Sequence, residues 1–107
     1  SILKNKNKNS ISSYYCLTII LKKKLSKFRD QIVDELKKLG IGTSIYYPGP
    51  VPLFKYYKTK YNLKFKSFPN ASSISNNSIS FPTAPHVSKS DIDKIVFGIN
   101  KVIDLFK

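Results

Sequence analysis

Apolar positions change their spacing several times along this chain, and each change predicts an element. From Tyr14 to Leu21 the run Tyr-Tyr-Cys-Leu-Thr-Ile-Ile-Leu is aromatic and β-branched on both faces, as a central strand buried on both sides requires. Phe28, Ile32, Leu36 and Leu39 then recur every three or four residues. That spacing predicts a helix capped at Ser26, with Asp30 in its first turn, Lys37 and Lys38 in its last, and Gly40 just beyond. Ile41 to Tyr47 reads as a second strand, closed by Pro48-Gly49-Pro50-Val51-Pro52, whose prolines remove backbone donors and impose a loop of fixed shape.

Shorter elements follow. Leu53 to Tyr61 predicts a brief helix with Phe54, Tyr57 and Tyr61 on one side, and a second brief helix fits between Phe68 and Asn77, after Pro69. Ser78 to Phe81 reads as a third strand, ended by Pro82. The clearest signal comes last: Ser88 and Asp91 form a capping box with Asp in place of Glu, and Val87 and Ile92 occupy the staple positions. Ile92, Ile95, Val96, Ile99, Val102, Ile103 and Phe106 make a stripe at helical spacing that must lie against something apolar, most simply the sheet. Gly98 costs this helix roughly 1 kcal/mol against Ala and marks a close contact. The sum is an α+β two-layer sandwich, with a small, mainly antiparallel sheet of about three strands and helices on one face.

Length and composition narrow this further. A chain of 107 residues suits one domain with one modest core. Ser1 to Ser13 lacks periodicity and holds the low-complexity run Lys4 to Asn9, so residues 1–13 read as a flexible lead-in or linker and residues 14–107 as the domain. The chain opens on Ser1 and contains no Met, which suggests a piece of a longer polypeptide. No apolar run spans a membrane and no signal peptide is evident, so a cytoplasmic location is expected. Cys16, in an apolar run, reads as a buried small hydrophobe, and a single His with no carboxylate or Cys cluster gives no zinc site.

The net charge of +13 permits nucleic acid, anionic membrane or acidic metabolites as partners, and is read first as a solvated surface. A stand-alone basic module would bind nucleic acid through Lys55, Lys58 and Lys60 and stack bases on Tyr56, Tyr57 and Tyr61. Against it, Arg29 is the one Arg among nineteen Lys and Arg, whereas base readout favours the Arg fork. Nucleic acid is therefore the lesser reading.

Four segments in order carry a resemblance: Gly40-Ile41-Gly42-Thr43-Ser44-Ile45-Tyr46-Tyr47-Pro48, Phe68-Pro69-Asn70-Ala71, Ile79-Ser80-Phe81-Pro82, and Pro85-His86-Val87-Ser88 before the last helix. From Tyr14 onward the chain resembles the end of the DegT/DnrJ/StrS family of nucleotide-sugar aminotransferases. Its tail typically reads Gly-Ile-x-Thr-x-Ile-His-Tyr-Pro, Phe-Pro-x-Ala-Glu, Leu-Ser-Leu-Pro and Pro-His-Leu-Thr. The resemblance implies a fold-type-I aminotransferase small domain, packed beside a large N-terminal domain that holds pyridoxal 5'-phosphate at a homodimer interface. That large domain would supply the Schiff-base lysine and most cofactor contacts. None of its motifs occurs here, so no catalytic residue is assigned.

The resemblance further implies transfer of an amino group, from glutamate, to a keto-sugar on a nucleotide carrier. Thr43 to Pro48 would lie at the active-site mouth, making Thr43, Tyr46 and Tyr47 the candidate substrate-binding residues. Pro48 and His86 would be structural or site-adjacent, His86 bonding to backbone where the last helix begins. Two positions depart from the family pattern: Tyr46 stands at its His and Ser72 at its Glu. A phenol donates a hydrogen bond but does not shuttle protons near neutrality as imidazole does. The departures leave room for a divergent or inactive relative, and a dehydratase or regulatory relative of the family stays open because the lysine that would decide it belongs to the large domain.

Overall fold

Alternation of apolar and hydroxyl side chains fixes the centre of the molecule. The computed structural model describes residues 9–107, so most of the sequence-predicted lead-in, residues 1–8, lies outside the described part. Leu17–Ile20 (β1) and Ser78–Phe81 (β2) pair antiparallel, with Leu17 opposite Phe81, Thr18 opposite Ser80, Ile19 opposite Ile79, and Ile20 opposite Ser78. Because side chains alternate across a strand, Leu17, Ile19, Ile79 and Phe81 share one face, and Thr18, Ile20, Ser78 and Ser80 share the other. The ladder continues where the Leu21 amide donates to the Asn77 carbonyl at 2.8 Å.

Five helices complete the described residues: Lys23–Ser26 (α1), Arg29–Lys38 (α2), Lys55–Lys60 (α3), Pro69–Asn77 (α4) and Lys89–Asp104 (α5). The apolar face of the sheet meets α2 and α5 in one core of Leu21, Ile32, Leu36, Ile41, Ile79, Phe81 and Val102, with Ile19, Ile95, Ile99 and Phe106 packed around it. The chain is thus α+β. Its sheet has two strands, where about three were expected. Residues 41–47 contribute a single antiparallel bridge, Ser44 to Ser80, whose amides and carbonyls exchange bonds of 2.9 and 2.8 Å. Gly42 on one side and the proline segment on the other hold that pairing to one residue.

The expected central strand also shrinks. Regular pairing begins at Leu17, and Tyr14 and Tyr15 are 77% and 78% exposed. The flanked strand is β2, which lies between β1 and Ser44 and is buried at all four positions.

The helix boundaries have local causes. Ser26 does not cap α2, because it is already helical: its amide donates to Lys22 O, and an N-cap needs non-helical backbone. Phe28 precedes α2 instead, without a side-chain cap. At the other end Gly40 has φ +73°, its amide bonds Lys37 O at 2.9 Å, and the Ile41 amide bonds Leu36 O at 3.0 Å. That is a Schellman ending, with Leu36 and Ile41 supplying the apolar contact that accompanies it. The box at α5 forms as predicted: Ser88 Oγ accepts from the Asp91 amide at 3.2 Å, and the Ser88 amide donates to Asp91 Oδ2 at 3.0 Å. The Gly98 prediction holds too, since a Cβ there would run into Ile41 Cδ1. Val51–Leu53 forms a single 3₁₀ turn that gives the proline segment its shape.

Candidate functional site

The hydroxyl side of the sheet carries the site. Thr18 Oγ1 and Ser80 Oγ lie 2.8 Å apart across the strand pair, and Cys16 Sγ lies 3.2 Å from Thr18 Oγ1. The Ser44–Ser80 bridge brings residues 42–46 alongside, while Thr83 Oγ1 donates to the Tyr15 carbonyl at 3.0 Å and ties the segment after β2 to the one before β1. Between these segments opens a cleft of about 360 Å³, walled by Thr43, Ser44, Tyr46, Ser80 and Thr83, with Cys16 on its border.

Of the sequence-predicted residues, Thr43 and Tyr46 line this cleft and the others do not. Tyr46 and Tyr47 meet edge to face, ring centroids 6.4 Å apart, across a cis peptide bond, and they are 49% and 62% exposed. Pro48 is exposed beside them. His86 sits in an exposed turn after Pro85 and makes no hydrogen bond with another described residue, in place of the expected backbone bond. The start of α5 is satisfied by Ser88 and Asp91 instead. Cys16 is half-buried at the cleft, not a core residue. Ser72, at the family's Glu position, is 1% exposed, and its Oγ finds no partner among the described residues. Sequence reasoning missed Ser44, Ser80 and Thr83. The available signal was the Ser-Ile-Ser-Phe alternation of β2, which gives a strand a second, polar face.

No lysine, histidine or carboxylate lines the cleft. In a chain of net charge +13, this wall is neutral and rich in hydroxyls. It can exchange hydrogen bonds with a polyhydroxylated ligand, each one modest in net value, and it holds no imidazole, amine or carboxylate for acid–base chemistry, only the phenols of Tyr15 and Tyr46 and the Cys16 thiol.

The family model described as the DegT/DnrJ/EryC1/StrS aminotransferase family matches residues 1–100. The chain belongs to that family. Among its relatives in the DegT/DnrJ/EryC1/StrS family, the UDP-4-amino-4-deoxy-L-arabinose–oxoglutarate aminotransferase of Shewanella sediminis is 32% identical over 79 residues, covering 70% of this chain and 20% of that protein. The spore coat polysaccharide biosynthesis protein SpsC of Bacillus subtilis is 29% identical over 82 residues, 76% of this chain and 21% of SpsC. In three dimensions the chain superposes on the putative sugar aminotransferase Spr1654 of Streptococcus pneumoniae with a TM-score of 0.78 at 25% identity, covering 97% of this chain and 27% of Spr1654. The chain therefore spans about a fifth of the length of the curated relatives it matches.

Members of the DegT/DnrJ/EryC1/StrS family generally depend on pyridoxal phosphate. The cleft does not fit that group by itself, because it has neither a lysine to bond the aldehyde nor a carboxylate to face the ring nitrogen.

Proposed function

We propose that this chain is the C-terminal, substrate-facing domain of a pyridoxal-phosphate-dependent aminotransferase that moves an amino group from glutamate to a nucleotide-linked keto-sugar. The observation that supports this most is the neutral, hydroxyl-lined cleft, placed on the segment that resembles the family's active-site mouth. On this reading a larger N-terminal domain holds the cofactor and the intact enzyme is a homodimer. The cleft contributes binding and orientation: Tyr46 offers a phenol hydroxyl, and Thr43, Ser44 and Ser80 offer further donors and acceptors to sugar hydroxyls. The chain's net charge of +13 attracts the anionic nucleotide at long range, an effect that salt weakens.

The test is the absorbance of the polypeptide expressed with its natural upstream sequence. A cofactor band that shifts when glutamate is added is expected, and a folded protein with no band would overturn the proposal. With such a preparation, Tyr46→Phe should raise KM for the keto-sugar about fivefold with kcat nearly unchanged, the size of one lost hydrogen bond of about 1 kcal/mol. An equal fall in kcat would instead place Tyr46 at the reacting atoms.

A further inference from the structure

Charge is divided unevenly along this chain. Its six acidic residues, Asp30, Asp34, Glu35, Asp91, Asp93 and Asp104, all lie in α2 and α5, and the described ion pairs lie in or beside those two helices as well. Residues 36–90 hold no carboxylate. Within that stretch Lys55, Lys58, Lys60, Lys64 and Lys66 crowd into α3 and the turn after it, and none of the described ion pairs offsets them. The Leu63 amide donates to the Lys58 carbonyl at 3.1 Å and folds that turn back on the helix. Interleaved with the lysines are rings that the core does not take up. Tyr56, Tyr61 and Phe65 are 63%, 58% and 58% exposed, and Phe54 and Tyr57 are exposed too. Clustered exposed rings of this kind mark a surface that meets something other than water.

We infer that this face of lysines and rings seats on an anionic lipid surface, the rings entering the interfacial layer and the ammonium groups meeting lipid phosphates. The contact is peripheral, for no helix among the described residues is long and apolar enough to cross a bilayer. A cluster of this size and sign is the kind that anionic lipid attracts, each lysine held near the surface strengthening binding about fivefold. Three observations favour lipid over a nucleic acid. All five cations are Lys, whose long stem lets a charge reach a phosphate past a buried ring, and the Arg fork that suits nucleic acid is missing. Phe54 and Phe65 bring no hydrogen bond to a base edge, yet gain from leaving water. Finally, Lys60 Nζ lies over the rings of Tyr56 and Tyr61, 5.3 and 5.5 Å from their centroids, and Tyr57 and Tyr61 stack with centroids 6.4 Å apart. The ring faces on which bases would stack are thus partly taken within the cluster.

The test sediments the polypeptide, with its natural upstream sequence, on vesicles of phosphatidylcholine and phosphatidylglycerol in equal parts and on vesicles of phosphatidylcholine alone. Binding to the mixed vesicles that weakens with salt is expected, with little binding to the neutral ones. Lys55→Gln with Lys58→Gln should weaken it roughly twenty-five-fold, whereas Lys37→Gln with Lys101→Gln, the same loss of charge on α2 and α5, should change it less than about twofold. Lys64→Gln with Lys66→Gln repeats the measurement should the first variant fold poorly. Phe65→Ser should weaken binding roughly fivefold without any change of charge, because half-exposed apolar surface no longer enters the lipid. Equal losses from the two lysine pairs would overturn the inference, since binding would then follow net charge alone. Equal binding to both kinds of vesicle, or to neither, would overturn it as well. An oligothymidylate bound more tightly per phosphate than the vesicles, and weakened by the same substitutions, would overturn it and assign the face to nucleic acid. None of these outcomes depends on the cofactor band, so this inference and the enzyme reading fail separately.

Discussion

The two faces of β2 divide the work of this domain. Ile79 and Phe81 belong to a core shared with α2 and α5, while Ser78 and Ser80, one residue away along the same strand, share the hydroxyl side, where Ser80 lines the cleft. Both faces are equally dry, for Ile79 and Ser78 are each 0% exposed. What differs is the chemistry that makes dryness tolerable. The apolar face gains from leaving water, about 25 cal/mol per Å². The hydroxyl face must replace each lost water with a partner, and does so through Thr18 Oγ1 and through the backbone bridge at Ser44. Burial therefore reports stability on one side of the strand and positioning on the other.

The largest effect should come from cutting the apolar side. Ile79→Ala or Leu36→Ala removes a side chain that is at most 1% exposed, and should cost about 2–5 kcal/mol by the transfer and cavity contributions together. Ser80→Ala, on the other face, removes one hydrogen bond and should cost about 0.5–1.5 kcal/mol. Urea unfolding of the variants side by side reads the contrast, and equal losses would break it.

A finer test asks how tightly the apolar side is packed. Gly98 lets α5 approach the Schellman turn of α2, where Ile41 Cδ1 fills the space that a Cβ would need. Gly98→Ala gains roughly 1 kcal/mol of helix propensity and meets an overpacking cost of about 1–3 kcal/mol, so a net loss is expected. Ile41→Val removes the obstructing methyl at a cost of about 0.5–1.5 kcal/mol. The double variant should then be more stable than the sum of the single losses, because the alanine keeps its propensity gain without the clash. Strict additivity in that cycle would mean that Ile41 simply swings aside.

Much of this architecture was legible because it is written locally. Gly40, the Ser88–Asp91 box and the Ser-Ile-Ser-Phe strand each specify backbone geometry within a few residues. Gly98 was legible as a close contact, though not what it would touch. The cleft was harder. Ser44 becomes a site residue only because residues 42–46 come to rest beside β2, some 36 positions away in sequence. Apolar runs misled in a regular way as well. Tyr14, Tyr15, Ile92 and Val96 read as buried, yet this domain leaves them half exposed or more. Periodicity records which side chains a sequence keeps apolar, and says nothing about what covers them.

The smallest expected effect concerns how α5 is anchored at its polar end. Ser88 donates from its hydroxyl and its amide to the Asp91 carboxylate, and these bonds, helped by nearby Lys94 and His86, hold the Asp91 carboxyl below its ordinary value. A depressed carboxyl binds its proton less readily in the folded chain than in the unfolded one. Its contribution is therefore complete above the ordinary carboxylate range and is lost as pH falls through that range toward the lowered folded value. Amide exchange at the first turn of α5 should accordingly quicken in acid while the amides around Val102, 1% exposed in the core, stay protected. Asp91→Asn should remove most of that pH dependence, and Ser88→Ala should weaken it and cost about 1 kcal/mol through the lost cap. If the first turn and the core instead open together as the pH falls, the start of α5 is not an independent device, and the apolar face alone holds the helix in place.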